Sequence, residues 1–415
     1  MRKKRPEKAS QAFDRGQAAL SRFDWSAAAA YFKRAQTEVT NKDDLFGAYL
    51  NGATAEMRLA RFSKARLLVK KALALGIEYD QRYFGAAVVE ANSGAPLSAK
   101  EILERLLAVH PDDSIAWALM AFVNEQLGSP ESAIQAAEHA LEFEVAFDGE
   151  VRCTAARAYV AMGNYSRAEE LYAEVIQGPS HGQAVMKTTV HPVATAFAGL
   201  GQLRLIQGRG SLSDSFEQQA LNFFQKATVI DPGHKDAWAN LAELAMERGS
   251  FQTAANAAVK ALELLWMPDV RLLRIQGSAL SNLRMFKEAQ QCLDQARKSS
   301  AKEELVGVVR DEMLNFARQH KWSDTVTLCE ELEALQSHPD PIELNTKAGA
   351  LLELGKSAEA LQTLQLACQT APNDPIILVN YGFARWCDAA DDAGRKEGLE
   401  QILKGLALKP RYPEA

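Results

Sequence analysis

The stretch from Lys235 to Leu265, KDAWANLAELAMERGSFQTAANAAVKALELL, constrains the fold more than any other part of the chain. It holds two short amphipathic runs. Trp238, Leu241, Ala242 and Ala245 recur at helical spacing, Gly249 breaks the run ahead of Phe251, and Ala254, Ala258 and Ala261 share one face of the second run. Small residues at Ala242 and Ala254 allow the two helices to approach closely, with Trp238 closing the wedge between them. A lone hairpin of this kind has two apolar sides and only one internal partner for each helix, so it must stack on copies of itself.

Those copies fill the chain. Eleven hairpins begin near residues 9, 46, 80, 114, 149, 194, 235, 270, 306, 341 and 375, and most steps between them are 34 to 37 residues. Gly128, Gly163, Gly208, Gly249 and Gly355 fall where a first helix is expected to end in a left-handed terminator. Pro111, Pro232, Pro372 and Pro410 fall where a second helix is expected to stop.

A helix–turn–helix period of about 34 residues with W-x2-L-G-x2-Y, then A-x3-F, then P resembles the tetratricopeptide repeat family. Gly16 with Ala28-x3-Phe32-x2-Ala35 carries the pattern in repeat one, and Trp117-x2-Met120-Ala121 with Ala133 and Ala140 in repeat four. Repeat five has Ala156-x2-Tyr159 and Ala168-x3-Tyr172. Repeat six has Phe197-x2-Leu200-Gly201 and Ala220-x3-Phe224-x2-Ala227, closing on Pro232. Repeat ten has Ala348, Leu351, Ala360 and Ala367, closing on Pro372. Repeat nine departs from the pattern, with Glu312 and Thr325 at apolar or Ala positions. The resemblance implies an all-α fold, a right-handed α-solenoid of about eleven stacked hairpins.

Irregularities set the expected organisation. Residues 1–8 read as a basic disordered tail, and 9–176 as an N-terminal array of repeats one to five. Residues 177–191 read as an inserted loop, and 192–415 as a C-terminal array of repeats six to eleven with a capping helix over 397–408. A shorter insertion, RGSLSDS from Arg209, lengthens the turn of repeat six, and one from Asp388 to Arg395 lengthens the last turn. The long loop is either a neutral surface insertion or a docking segment.

Composition narrows the function. A hydrophobic fraction of 47% supplies a packed core, and a net charge of −6 lacks the basic balance that nucleic acid asks of a partner. Five scattered cysteines suit a reducing, cytoplasmic setting, and no apolar run approaches the roughly 18 residues of a membrane span. Neither the seven histidines nor the cysteines show metal-ligand spacing, and GLGQLR at 199–204 lacks the third glycine and the preceding strand of a dinucleotide fingerprint. No cofactor is expected, and no enzyme.

The resemblance places the binding surface on the first helices, at the second, fifth, ninth and twelfth positions of each repeat. In the early repeats these include Phe13, Gln17, Leu50, Phe84, Val88 and Phe122. Around repeats five, eight and nine they include Arg157, Arg271, Arg274 and Arg310, and at the end Asn345, Val379, Phe383 and Trp386. The aromatics either line a groove or fill core between first helices. The arginines either read carboxylates with their planar forks or form a solvated face. The Lys/Asn/Asn/Lys/Arg clamp of chaperone-binding members is not reproduced: its positions in repeats one to three hold Phe13, Gln17, Asn51, Gln81 and Gly85, and those in repeats eight to ten Arg274, Ser278, Asp311, Ile342 and Thr346. The expectation is a scaffold or adaptor that binds protein segments, an acidic stretch among them, in its concave groove. The alternative is an accessory subunit of an enzyme, secretion or surface-polysaccharide and pilus machine, docking through its outer face and residues 177–190.

Overall fold

The computed structural model describes residues 7–78, 82–143, 148–178, 191–209, 215–265 and 267–408, with side chains from Gln11 onward. The basic tail expected over residues 1–8, most of the loop expected at 177–191 and the final PRYPEA lie outside the described residues or their side chains. Every described element of regular structure is a helix, and the helices pair into eleven hairpins. Two compact units divide at Asp231 and Pro232.

The first unit holds six hairpins. They are α1 (Glu7–Ser21) with α2 (Trp25–Glu38), α3 (Lys42–Arg58) with α4 (Phe62–Leu73), and α5 (Arg82–Asn92) with α6 (Pro96–Val109). The other three are α7 (Ser114–Gln126) with α8 (Pro130–Leu141), α9 (Asp148–Ala161) with α10 (Tyr165–Gln177), and α11 (Pro192–Gly208) with α12 (Ser215–Ile230). One apolar cluster runs unbroken from Phe46 to Leu203, as stacking requires. It passes the 177–191 connection without a gap. Gly149 of α9 leaves room for Pro192 of α11, and a Cβ on Gly199 of α11 would lie 2.3 Å from the ring of Tyr172 of α10.

The second unit holds five hairpins. They are α13 (Lys235–Glu247) with α14 (Phe251–Glu263), α15 (Val270–Asn282) with α16 (Phe286–Ser299), α17 (Lys302–Arg318) with α18 (Trp322–Leu335), α19 (Pro341–Glu353) with α20 (Ser357–Thr370), and α21 (Pro375–Asp388) with α22 (Asp392–Leu408). The hairpin starts inferred from periodicity at 114, 235, 270, 341 and 375 coincide with the first residues of their helices.

Three hairpins close by exchange of volume. Phe224 of α12 is fully buried in the space a side chain at Gly201 would take, its Cε1 2.5 Å from where a Cβ would stand. Phe32 against Gly16 and Leu293 against Gly277 repeat the arrangement, each at 2.8 Å. Entry to the first helices recurs too. Asp113, Asp340 and Asp374 accept backbone N–H groups of the first turn, and the indoles of Trp117 and Trp238 donate to the carbonyls of Pro111 and Pro232 at 2.8 and 3.0 Å.

The turns inside hairpins correct two expectations. Gly94, Gly128, Gly163, Gly249 and Gly355 have the left-handed conformation of a terminator, but Gly208 does not. Gly208 is the last residue of α11, pressed against Phe216, and the chain leaves through Arg209 in extended geometry. The final turn is short rather than inserted. Asp391 accepts the N–H of Gly394 at 2.8 Å and starts α22 at Asp392, five residues ahead of the helix expected at 397. At Phe23, Ala60, Arg284 and His320 the left-handed turn is made without glycine.

Two substitutions test this packing by urea unfolding. Gly201→Ala is expected to lower stability by about 1–2 kcal/mol even after its gain in helix propensity, because the Phe224 ring has nowhere to move. Ala60→Gly is expected to raise stability by about 0.5–1 kcal/mol through relief of the positive φ.

Candidate protein-binding face

The early apolar positions serve the core before any ligand. Leu50 is buried within the main cluster. Phe13 of α1 sets its edge against Phe32, with ring centroids 5.5 Å apart, and its Cζ lies over Gly47 of α3. Phe84 is partly buried against the same cluster, Val88 and Phe122 are half-buried, and Gln17 is exposed.

The arginines are joined to the protein's own carboxylates across neighbouring repeats. In the first unit Arg157 of α9 grips Glu125 of α7 with two bonds of 2.5 and 2.8 Å, and also donates to Thr154. Burial opposes the charge on Arg157, yet the hydrogen bond and the charge of Glu125 hold its pKa above the usual guanidinium value. In the second unit the pairs form a ladder over four first helices. Arg271 of α15 pairs with Glu243 of α13, and Arg274 of α15 donates to Asp311 of α17 at 2.6 Å. Arg310 of α17 donates to Glu343 of α19 at 2.6 Å and reaches Asp340 at 3.4 Å. Gly307 makes the second rung possible, because a Cβ there would lie 2.4 Å from the Arg274 guanidinium. Burial pushes the Asp311 carboxyl upward against the pull of Arg274, and the Glu243 carboxyl upward against the pull of Arg271.

Apolar side chains left open on first helices include several at α19 and α21. Phe383 and Trp386 are each 48% exposed, Ile342 is 68% exposed, and Ile376 is also exposed. Asn380 Nδ2 donates to Asn345 Oδ1 at 2.9 Å and fixes α21 against α19. Val379 is pressed toward Gly405 of α22, and the Trp386 Cβ lies over Gly398, so the Phe383 and Trp386 side chains project from a closely packed helix pair.

Residues 84–148, which span α5 to α8, match the family model described as Tetratricopeptide repeat. That segment belongs to the tetratricopeptide repeat family. The same helix–turn–helix hairpin recurs on both sides of that match. Among solved structures this repeat protein is similar to the APC/C hetero-tetramer Cut9–Hcn1, at 12% identity over 98% of this chain and 95% of that one, with a TM-score of 0.42. It is similar to PilF of Pseudomonas aeruginosa at 16% identity, covering 56% and 92%, with a TM-score of 0.41. A tetratricopeptide repeat protein from Parabacteroides merdae matches at 14% identity, covering 75% and 100%, with a TM-score of 0.40. Likeness at this level says nothing of function. No curated protein matches the sequence.

Burial pushes the thiols of Cys153 and Cys329 up to about 12, which leaves them inert as nucleophiles near neutrality. Among the described residues no group of three His, Cys, Asp or Glu side chains is placed to hold a metal ion, and no helix is long and apolar enough to cross a membrane.

The rungs differ in depth, and that difference is measurable. Arg274→Ala leaves Asp311, 13% exposed, without its cation and is expected to cost about 2–3 kcal/mol in urea unfolding. Arg271→Ala removes a guanidinium that is 58% exposed and is expected to cost under about 1 kcal/mol.

Proposed function

We propose that this repeat protein is a non-enzymatic scaffold that holds a segment of a partner protein on its first-helix face and so assembles or regulates a multiprotein complex. The observation that carries the reading is the pair of half-exposed aromatic side chains, Phe383 and Trp386, on α21, in the same unit as first helices whose arginines are closed in ion pairs. Aromatic side chains that keep about half their surface in water gain most from being covered, and such residues dominate binding energy at protein interfaces. The groove arginines contribute differently from a free basic stripe. Each already has a carboxylate within the chain, so an acidic segment would have to displace Asp311 or Glu343 to reach Arg274 or Arg310.

A pull-down from native lysate with four forms of the full chain tests the proposal. Phe383→Ala with Trp386→Ala is expected to reduce recovery of the bound protein about tenfold or more, with helix content unchanged by circular dichroism. Arg271→Glu with Arg274→Glu is expected to lower the melting temperature ahead of any selective loss of partner. Recovery insensitive to the aromatic pair but abolished by deleting residues 179–190 would refute the proposal in favour of docking through that connection.

A further inference from the structure

Repeat nine has three polar residues in its core, Glu312, Asn315 and Thr325. Asn315 donates its amide N–H to Gln290 of α16 at 2.9 Å, and the other two are satisfied differently. Thr325 is fully buried and donates its hydroxyl to the Lys321 carbonyl at 3.0 Å, a local bond that closes within its own helix. Glu312 has no such outlet. It is 4% exposed, at the repeat position that Leu200 and Leu241 fill in repeats six and seven.

The cation facing Glu312 is Arg297 of α16, with Nη1 at 3.4 Å. That guanidinium is already engaged. Its Nη1 and Nη2 donate to Oε1 and Oε2 of Glu331 on α18 at 3.1 and 2.6 Å, a fork-to-fork pair. Asp294 of α16 and Asp311 of α17 add negative potential at Glu312. The arginines of α15 and α17 have partners of their own. Arg274 of α15 is bound to Asp311, and Arg310 of α17 to Glu343 and Asp340 at the α19 side. Arg318 of α17 donates to Ser281 of α15 at 3.2 Å. One guanidinium thus serves two carboxylates where α16, α17 and α18 meet, and the surplus negative charge falls on Glu312, which is nearly closed to water while Arg297 and Glu331 are about a third exposed.

We propose that Glu312, Arg297 and Glu331 form a proton-gated joint between the eighth and ninth hairpins, in which uptake of a proton by the Glu312 carboxylate removes the surplus charge and tightens α17 against α16 and α18. Burial, the first cause, and the neighbouring carboxylates push Glu312 up to about 7, against the pull of Arg297. A carboxyl whose folded-state value lies above its ordinary value near 4.5 binds its proton more tightly in the folded chain. Its contribution is therefore most favourable below about pH 4.5, falls as pH rises toward about 7, and is constant above that. The joint lies beside the helices that carry Arg274 and Arg310, so the change reaches the ladder of ion pairs through α17.

Two readouts on the full chain test this, one of which needs no variant. Carbon-13 NMR of the side-chain carboxyl carbons is expected to show Glu312 titrating with a midpoint near 7, and Glu331→Gln, which releases Arg297 to Glu312, is expected to move that midpoint down by about one unit or more. In urea unfolding across pH, the unfolding constant of the native chain relative to Glu312→Gln is expected to rise by about tenfold per pH unit between about pH 5 and 7 and then level off. A native midpoint near 4.5, no movement of the midpoint with Glu331→Gln, or parallel pH profiles for the native chain and Glu312→Gln would overturn the proposal.

Discussion

A large apolar side chain held where another is missing is a contact on which this structure depends. Phe224 occupies the space vacated at Gly201, Phe32 that at Gly16, and Leu293 that at Gly277. Each lets a short second helix lie close against its first helix. The alanines at the same level, among them Ala242, Ala254 and Ala258, are fully buried for the same reason. Helices of 11 to 17 residues are marginal alone, so these contacts and the next hairpin's apolar face supply the stability that propensity does not. Tyr172 carries the device from one hairpin to the next by filling the space at Gly199.

Charge adds direction to the stack. The arginines on the first helices bind carboxylates one repeat away, Arg157 to Glu125, Arg274 to Asp311 and Arg310 to Glu343. Such pairs fix the register of neighbouring first helices, which apolar packing alone specifies loosely. The same unit leaves apolar surface open at Ile342, Ile376, Phe383 and Trp386. Glu312 is the exception in this pattern, a carboxylate with a share in a cation rather than one of its own.

Most of the fold was legible because one period governs helix starts, small residues and turns together. The errors fall where a local rule was applied alone. The identity of Gly208 suggests a terminator, but the bulk of Phe216 beside it uses the missing Cβ instead. Asp391 reads as part of an insertion, although an aspartate three residues ahead of Gly394 is a helix start. The candidate site was less legible. Arginines read one at a time look like a basic stripe, and the signal that corrects this is a carboxylate about one repeat away: Arg157 and Glu125 lie 32 residues apart, Arg310 and Glu343 33, and Arg274 and Asp311 37. The burial of Leu50 and the partial exposure of Phe383 depend on the neighbouring helices, which spacing within one repeat does not report.

If each hairpin is held chiefly by its own internal packing and its immediate neighbours, damage to one should spread only one hairpin in either direction. Native-state hydrogen exchange on Leu293→Ala, which empties the contact at Gly277, measures this most directly. The account predicts lost protection in α15 and α16 and weakened protection in α13, α14, α17 and α18, with α19 to α22 retaining native rates. Equal loss of protection in every helix of the second unit would contradict it.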